Sequence, residues 1–335
     1  MSTTSAVERN AEREAERLAS TAQVRDNVIT RWRSRGAFIL FALMFAGGCL
    51  FVDQFATTGN LVALLQSQAF IGMVAVGMTW VVLSGNFIDL SAPASLAIAA
   101  NTVLRVSPQS VPLAIVLAIA IPIGLGLVNG YLVGRLKLNP VIATLGTAGI
   151  AMGLLYLATG GTTSTGSVAS LSDVASARPF GVPVPVIAFL LLVLVNQLVL
   201  SRFRLGANVR FVGNNPEASR ATGIRPVATV AWCFGLSAAL AAVAGILLGA
   251  STNNAVTGTG AGYEFDALAA IVLGGTLLAG GIGSFWRTLS GVLVVATVNN
   301  ITLLLGLSAE AQLLVQGIIF VTVVGLDAIA TRSKA

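Results

Sequence analysis

Histidine is absent from this chain of 335 residues, and charged side chains make up only 10% of it. Without histidine there is no Ser-His-Asp triad, no zinc site of the H-E-x-x-H type and no histidine phosphorelay. Lysine is nearly absent as well: Lys137 follows Leu136 and Lys334 follows Ser333, so the Gly-Lys pair of a phosphate-binding P-loop is missing. Any dependence on ATP therefore has to reside in another subunit. Cys49 and Cys233 each sit inside an apolar run and read as small buried hydrophobes, not as a disulfide or a metal pair. An ordinary soluble domain carries about 25% charged residues, and a chain this poor in charge cannot present a water-facing surface on all sides.

What is present is apolar: 56% of the residues are hydrophobic, gathered into long runs. Runs of about 20 such residues cross the hydrocarbon as helices. A membrane β-barrel would alternate apolar and polar residues in segments of about ten, and these runs do not. The expected fold class is therefore all-α, a polytopic membrane protein with about ten spans near residues 37–52, 61–84, 88–104, 111–133, 139–158, 185–201, 227–250, 263–280, 286–305 and 311–329. Residues 1–36 form a charged tail of mixed sign with no small-residue cleavage site after the first apolar run, and residues 37–331 form the transmembrane domain.

Orientation follows from the basic residues. With the N-terminus in the cytoplasm, an even number of spans places 17 of the 19 Lys and Arg on the cytoplasmic side and leaves only Arg105 and Arg178 outside. The net charge of +6 thus reports topology and gives no reason to invoke nucleic acid.

The segment from Ser84 to Leu104 is interrupted by Gly85, Asn86, Asp89 and Pro93, which predicts a broken or re-entrant helix. Irregular backbone at membrane depth must be shielded by protein or line a cavity. Residues 159–184 form an outer loop rich in Gly, Ser and Thr. Residues 202–226 form the largest inner loop, in which Asn214 or Asn215 caps a short helix begun by Pro216 and Glu217 and stopped by Gly223. Gly126, Gly130 and Gly134, and likewise Ala241, Gly245 and Gly249, repeat at four-residue spacing and predict close helix packing in lipid.

Polar residues at membrane depth are few: Asn101, Asn129, Asn299, Asn300, Gln66, Gln68 and Gln316, with Asp89, Glu264, Asp266 and Asp327 near span ends. Two readings stand. The amides can serve as interhelical hydrogen-bond donors and acceptors. Alternatively Asn86, Asp89, Asn101, Asn129, Asn299 and Asn300 line a hydrated pathway for a polar, uncharged solute such as a sugar, since no Lys or Arg lies at mid-span to attract an anion. Asp89 alone keeps an ion-coupled secondary transporter open as an alternative. An intramembrane enzyme has no plausible catalytic pair.

The stretch Phe211-Val-Gly-Asn-Asn-Pro-Glu-Ala-Ser-Arg-Ala-Thr-Gly-Ile224 resembles the cytoplasmic coupling segment of the ribose-type permeases of bacterial ATP-binding-cassette importers, within the branched-chain amino acid and sugar permease superfamily. Three further stretches agree in order and spacing: Phe87-Ile-Asp-Leu-Ser91, Leu136-Lys-Leu-Asn-Pro-Val-Ile-Ala-Thr-Leu-Gly-Thr147, and Gly262 to Thr276 running on to Ala279-Gly-Gly-Ile-Gly-Ser284. The resemblance covers roughly residues 40–330 and departs from the family at Phe87, where a glycine is usual.

The resemblance implies a permease subunit of the bacterial inner membrane that moves a sugar or related polyol by alternating access. It implies pairing with a second permease copy, a homodimer in the simplest case, and surrounding membrane lipid. A separate cytoplasmic ATPase would hold the ATP and Mg, so this chain itself would bind no cofactor or metal, and a periplasmic sugar-binding protein would dock on the outer loop. Gly213, Asn214, Asn215, Pro216, Glu217, Ala218, Arg220 and Gly223 would form the coupling contact with the ATPase.

Overall fold

A computed structural model describes residues 36–166, 169–308, 310–312, 314–315, 317–319, 321–322 and 325. Residues 1–35 of the charged tail and Gln316, Asp327, Arg332 and Lys334 lie outside the described residues. The chain runs through α1 (Gly36–Phe51), α2 (Thr58–Leu83), α3 (Ala92–Val106), α4 (Val111–Gly134), α5 (Pro140–Thr159), β1 (Ser164–Thr165), α6 (Ala169–Ser176) and α7 (Val184–Arg202). It continues through α8 (Arg204–Asn214), α9 (Pro216–Ala221), α10 (Pro226–Thr252), β2 (Asn254–Ala255), α11 (Tyr263–Leu273) and α12 (Phe285–Leu304), and described residues between 310 and 325 are helical too.

Six of these helices, α2, α4, α5, α7, α10 and α12, are long and apolar enough to cross a bilayer. Their beginnings follow local chemistry. The side chains of Thr57, Ser110, Asn139 and Ser284 accept from the free N–H groups of α2, α4, α5 and α12. Proline occupies the first turn of α4, α5, α7 and α10, where its missing N–H costs nothing.

Eight of the expected spans coincide with a helix to within about four residues, the one at 311–329 lies partly outside the described residues, and the interrupted segment is broken as expected: α2 ends at Leu83 and α3 begins only at Ala92. One expectation is corrected. The span placed at 263–280 is an eleven-residue helix, α11, which stops at Leu273 because Gly275 turns the chain at φ +84°. Residues 274–284 then fold back as a loop, with Leu277 N–H donating to Ile282 O at 3.0 Å. A second correction concerns cysteine: Cys233 is buried, but Cys49 is exposed on the peripheral helix α1.

The interior is built around α2 and α10, with Trp80, Met73, Met78, Phe234 and Phe285 fully enclosed. Helix α10 packs α2, α3 and α4, and α12 packs α2 and α11. In lipid there is no hydrophobic force between helices, so association rests on close fit and hydrogen bonds. The small-residue spacing supplies the fit. A Cβ on Gly126 or Gly130 would run into the α10 backbone at Phe234 and Ala231, and one on Gly245 or Gly249 would strike α3 at Leu96 and Ala100. Outward, α4 and α5 present Ile121, Val128, Ile142, Leu154 and Leu157 as a surface suited to hydrocarbon.

The two ends of the bundle differ. One gathers the end of α2, the α4–α5 turn with Arg135 and Lys137, the α8–α9 segment and the α11–α12 loop. The other holds Arg105, the outer loop and the β1–β2 pair, in which Ser164 lies opposite Ala255 and Thr165 opposite Asn254.

Gly130→Leu should destabilise the bundle by about 1–3 kcal/mol, because added methylenes in a tight contact force backbone shifts. Gly124→Leu, on the same helix where a Cβ meets nothing within 4 Å, should be nearly neutral. Thermal unfolding of the detergent-solubilised chain compares the two.

Candidate functional site

At the first end of the bundle α9 stands on the surface. Asn215, not Asn214, is its cap: Asn215 Oδ1 accepts from Glu217 N at 3.0 Å and from Ala218 N at 2.9 Å. The stop is the expected one. Gly223, at φ +82°, donates to Arg220 O at 3.0 Å, and Ile224 N–H reaches Ser219 O at 3.1 Å, the paired bonds of a Schellman turn. Pro216, Glu217, Ala218, Arg220 and Ala221 are exposed, while Ser219 alone turns inward and its hydroxyl donates to Asn215 O at 2.7 Å. Glu217 and Arg220 lie 3.6 Å apart, but an exposed pair of this kind contributes little to stability. Phe211, at the end of α8, is exposed beside them.

The root of this helix is fused to the bundle through glycine. Gly213 packs where a Cβ would fall on Leu83 O and within 2.6 Å of Gly281 N. Gly281 N–H donates to Leu83 O at 3.0 Å. A Cβ on Gly280 would come within 2.6 Å of Gly85 Cα, and one on Gly281 would collide with the Asn214 side chain. Gly85 and Gly280 also adopt φ of +84° and +91°, a region in which residues with a Cβ are strained. Three separated segments, 83–85, 213–214 and 280–281, thus meet backbone to backbone. Asn214, expected as a possible cap, is used in this junction instead.

Asp89 lies deeper, in the unwound stretch between α2 and α3, and is wholly buried. Its Oδ1 accepts from Ser91 N at 3.0 Å and Ser91 Oγ at 2.6 Å, and its Oδ2 accepts from Ser237 Oγ of α10 at 2.8 Å. Asn129 of α4 donates to Ser91 Oγ at 2.7 Å and accepts from Thr147 Oγ1 of α5 at 2.6 Å. Thr144, one turn earlier on α5, accepts from Leu90 N at 3.1 Å. The network ties the crossing strand to α4, α5 and α10, and satisfies backbone that no helix satisfies.

The other sequence-derived candidates are distributed differently. Asn86 donates to Ser84 Oγ at 2.9 Å within its own turn. Asn101 accepts from Ser164 Oγ at 2.7 Å and donates to Val256 O at 3.2 Å, while Arg105 Nε donates to Ser164 Oγ at 2.6 Å, so α3 pins both the outer loop and the segment after α10. Asn300 exchanges two amide hydrogen bonds with Asn60, at 2.9 and 2.8 Å. Asn299 and Asn300 line a cavity of about 300 Å³ together with Ser67, Gln68 and Gln312. The structure therefore divides the six pathway candidates: Asp89 and Asn129 share one network, Asn86 and Asn101 hold turns, and only Asn299 and Asn300 face this cavity. Ser67 and Gln312 were missed by sequence reasoning, because a single serine or glutamine carries no signal of what faces it.

Long apolar helices around a buried polar seam, with one capped helix projecting from the basic end, make this an integral membrane protein of the polytopic helical class. The chain belongs to the family described as branched-chain amino acid transport system / permease component, whose pattern matches residues 60–324. It is 34% identical over 305 residues to the L-arabinose transport system permease protein AraH of Escherichia coli K12, covering 90% of this chain and 93% of that protein. It is 36% identical over 296 residues to the ribose import permease protein RbsC of Bacillus subtilis, covering 87% and 90% respectively. With the D-allose transport system permease protein AlsC of Escherichia coli K12 it shares 28% identity over 305 residues, covering 90% and 93%. No solved structure matches the chain significantly.

Asp89→Ala should leave the Ser91 and Ser237 hydroxyls and the Ser91 N–H buried without their acceptor, at about 1–3 kcal/mol for each group. Asp89→Asn, which keeps one carbonyl oxygen, should cost much less. The yield of folded protein and its unfolding midpoint in detergent distinguish the two variants.

Proposed function

We propose that this chain is the membrane-spanning permease subunit of an ATP-binding-cassette importer, moving a monosaccharide or related polyol across the bacterial inner membrane. The observation that carries the reading is α9: a capped, exposed helix whose root is locked by glycine contacts to the end of α2 and to the α11–α12 loop. A load applied to α9 by a partner is delivered directly to two elements of the bundle, which is the mechanical requirement for an engine housed in another subunit. The named relatives transport arabinose, ribose and allose, so an aldose is the substrate class.

In this reading the bundle has ten spans with both termini in the cytoplasm, and the end bearing Arg135, Lys137 and α9 is the cytoplasmic one. Two copies of the chain form the membrane unit. The coupling surface comprises Gly213, Asn214, Asn215, Pro216, Glu217, Ala218, Arg220 and Gly223. ATP and Mg are held by the partner ATPase. The outer loop, with the fully exposed Phe180 near its tip, receives the sugar-binding protein. Alternating access follows if the two conformations of the ATPase hold α9 differently, since a partner shifts an equilibrium only through differential contact with the two states. Asp89 and Asn129 then act as a positioning network and do not meet the sugar.

Glu217→Arg reverses a charge on the exposed face of α9 without touching the core, so the chain should insert normally while co-purification of the ATPase and sugar uptake both fall, the latter by about tenfold or more if the contact is lost. Unchanged uptake would remove the coupling role of α9. Ion-coupled transport, the competing reading, is tested separately: with ATP sustained, an ionophore that collapses ion gradients should leave uptake intact.

A further inference from the structure

The cavity between α2, α12 and the helical residues 310–312 differs from the apolar surfaces around it. Six polar side chains line it, Asn60, Ser67, Gln68, Asn299, Asn300 and Gln312, and the remaining lining residues are Ala and Leu. None of them carries a charge. Gln68 is 8% exposed, and among the described residues its Oε1 has no hydrogen-bond partner. A buried amide oxygen without a partner in a membrane bundle is costly, and this one is available to accept from a donor placed in the cavity. Ser67 Oγ donates to Leu64 O at 3.0 Å, which leaves its lone pairs to accept.

The position is as informative as the lining. Asn60 lies in the first turn of α2 and Asn300 near the end of α12, and their reciprocal amide pair ties the two helices beside the cavity. At the opposite end of the same seam Thr79 and Thr288 hydroxyls meet at 2.8 Å. The cavity is thus at the end of the bundle that also holds Arg105 and the outer loop, the end a solute from outside reaches first.

We propose that this cavity is a sugar-contact site on the translocation route, in which the Gln68 amide and the Ser67 hydroxyl exchange hydrogen bonds with sugar hydroxyls. The inference rests on the importer reading above and adds the site and its selectivity. Amides and hydroxyls both donate and accept, which matches a polyol, and the lack of charge disfavours amino acids and sugar phosphates. A volume of about 300 Å³ lies at the lower end of ligand pockets, which run from about 300 to 1,000 Å³, and suits one monosaccharide and not an oligosaccharide.

The test uses the full chain assembled with its ATPase and binding protein in proteoliposomes, and L-arabinose, D-ribose and D-allose as probes. Gln68→Leu should lower uptake of the transported sugar by about tenfold or more while ATP hydrolysis stimulated by the loaded binding protein persists, and Gln68→Asn should recover part of the loss. Wild-type uptake rates in Gln68→Leu would overturn the proposal. A second arm is independent of transport: in a Cys49→Ser background, Ser67→Cys should react with a small charged methanethiosulfonate reagent added from the outer side, and an excess of the transported sugar with its binding protein should slow that reaction. A Ser67→Cys thiol that the reagent cannot reach would also overturn it, including where Gln68→Leu fails to insert. If the unmodified assembly moves none of the three sugars with ATP, the importer reading fails, and the labelling arm still decides whether the cavity is open to solute.

Discussion

The stretch from Asn86 to Leu90 has to pass through the bundle without the hydrogen bonds of a helix, in surroundings where water cannot supply them. Side chains meet part of this need: Thr144 Oγ1 accepts from Leu90 N–H, and Asp89 accepts from the Ser91 N–H and from the hydroxyls of Ser91 and Ser237. Ser91 Oγ then becomes the acceptor for Asn129, whose own oxygen is held by Thr147. The relative placement of α3, α4, α5 and α10 depends on this chain of contacts, because apolar surface gives no orientation in lipid. The extended crossing is also what shortens α3 and sends it upward beside α10, where Gly245 and Gly249 allow contact with Leu96 and Ala100. Fixing the crossing fixes α3, and α3 fixes the outer loop through Asn101 and Arg105.

The same crossing begins at the glycine junction. Gly85, which ends α2, touches the loop at Gly280, and Leu83 O is the acceptor for Gly281. Contacts made by backbone atoms have no rotamers to absorb displacement, so a shift of α8 and α9 moves the end of α2 and the α11–α12 loop with it. Side chains of ordinary length at these positions would both separate the segments and cushion them. Glycine here serves close approach first and backbone freedom second. The capped six-residue helix α9 is attached directly to this junction, with the end of α2 and the α11–α12 loop packed behind its root.

Much of this was legible in the sequence. Apolar runs marked the spans because a helix that crosses the hydrocarbon needs about 20 largely apolar residues. Four-residue spacing of Gly and Ala marked the α4–α10 and α10–α3 contacts, and Gly85, Asn86 and Pro93 marked the break before α3. Three things were not legible for physical reasons. The end of α11 at Leu273 was hidden because Leu277 and Leu278 continue the apolar pattern while their backbone turns. Adjacent asparagines at 214 and 215 offer the same capping chemistry, and only the folded backbone, helical through Asn214 and extended at Asn215 with φ −158°, decides which one caps. Asp89, finally, looked the same in sequence whether it faced a pathway or a serine, since its partner Ser237 lies 148 residues away.

That last ambiguity bears on mechanism. A carboxylate that carries an ion through a transporter needs an oxygen turned toward the route and an environment that changes between states. Asp89 has both oxygens committed to serine hydroxyls and an amide, and those partners belong to helices that the glycine contacts hold tightly together. Moving an ion through it would require breaking three hydrogen bonds to a wholly buried carboxylate on every cycle. The polar surface between α2 and α12 is of the opposite kind, uncharged and incompletely satisfied, and it borders α2, whose far end lies in the glycine junction. On the importer reading proposed above, a load on α9 bears on the same helix that walls the cavity, so coupling energy captured outside this chain to a polar, uncharged solute calls for no titrating group at membrane depth.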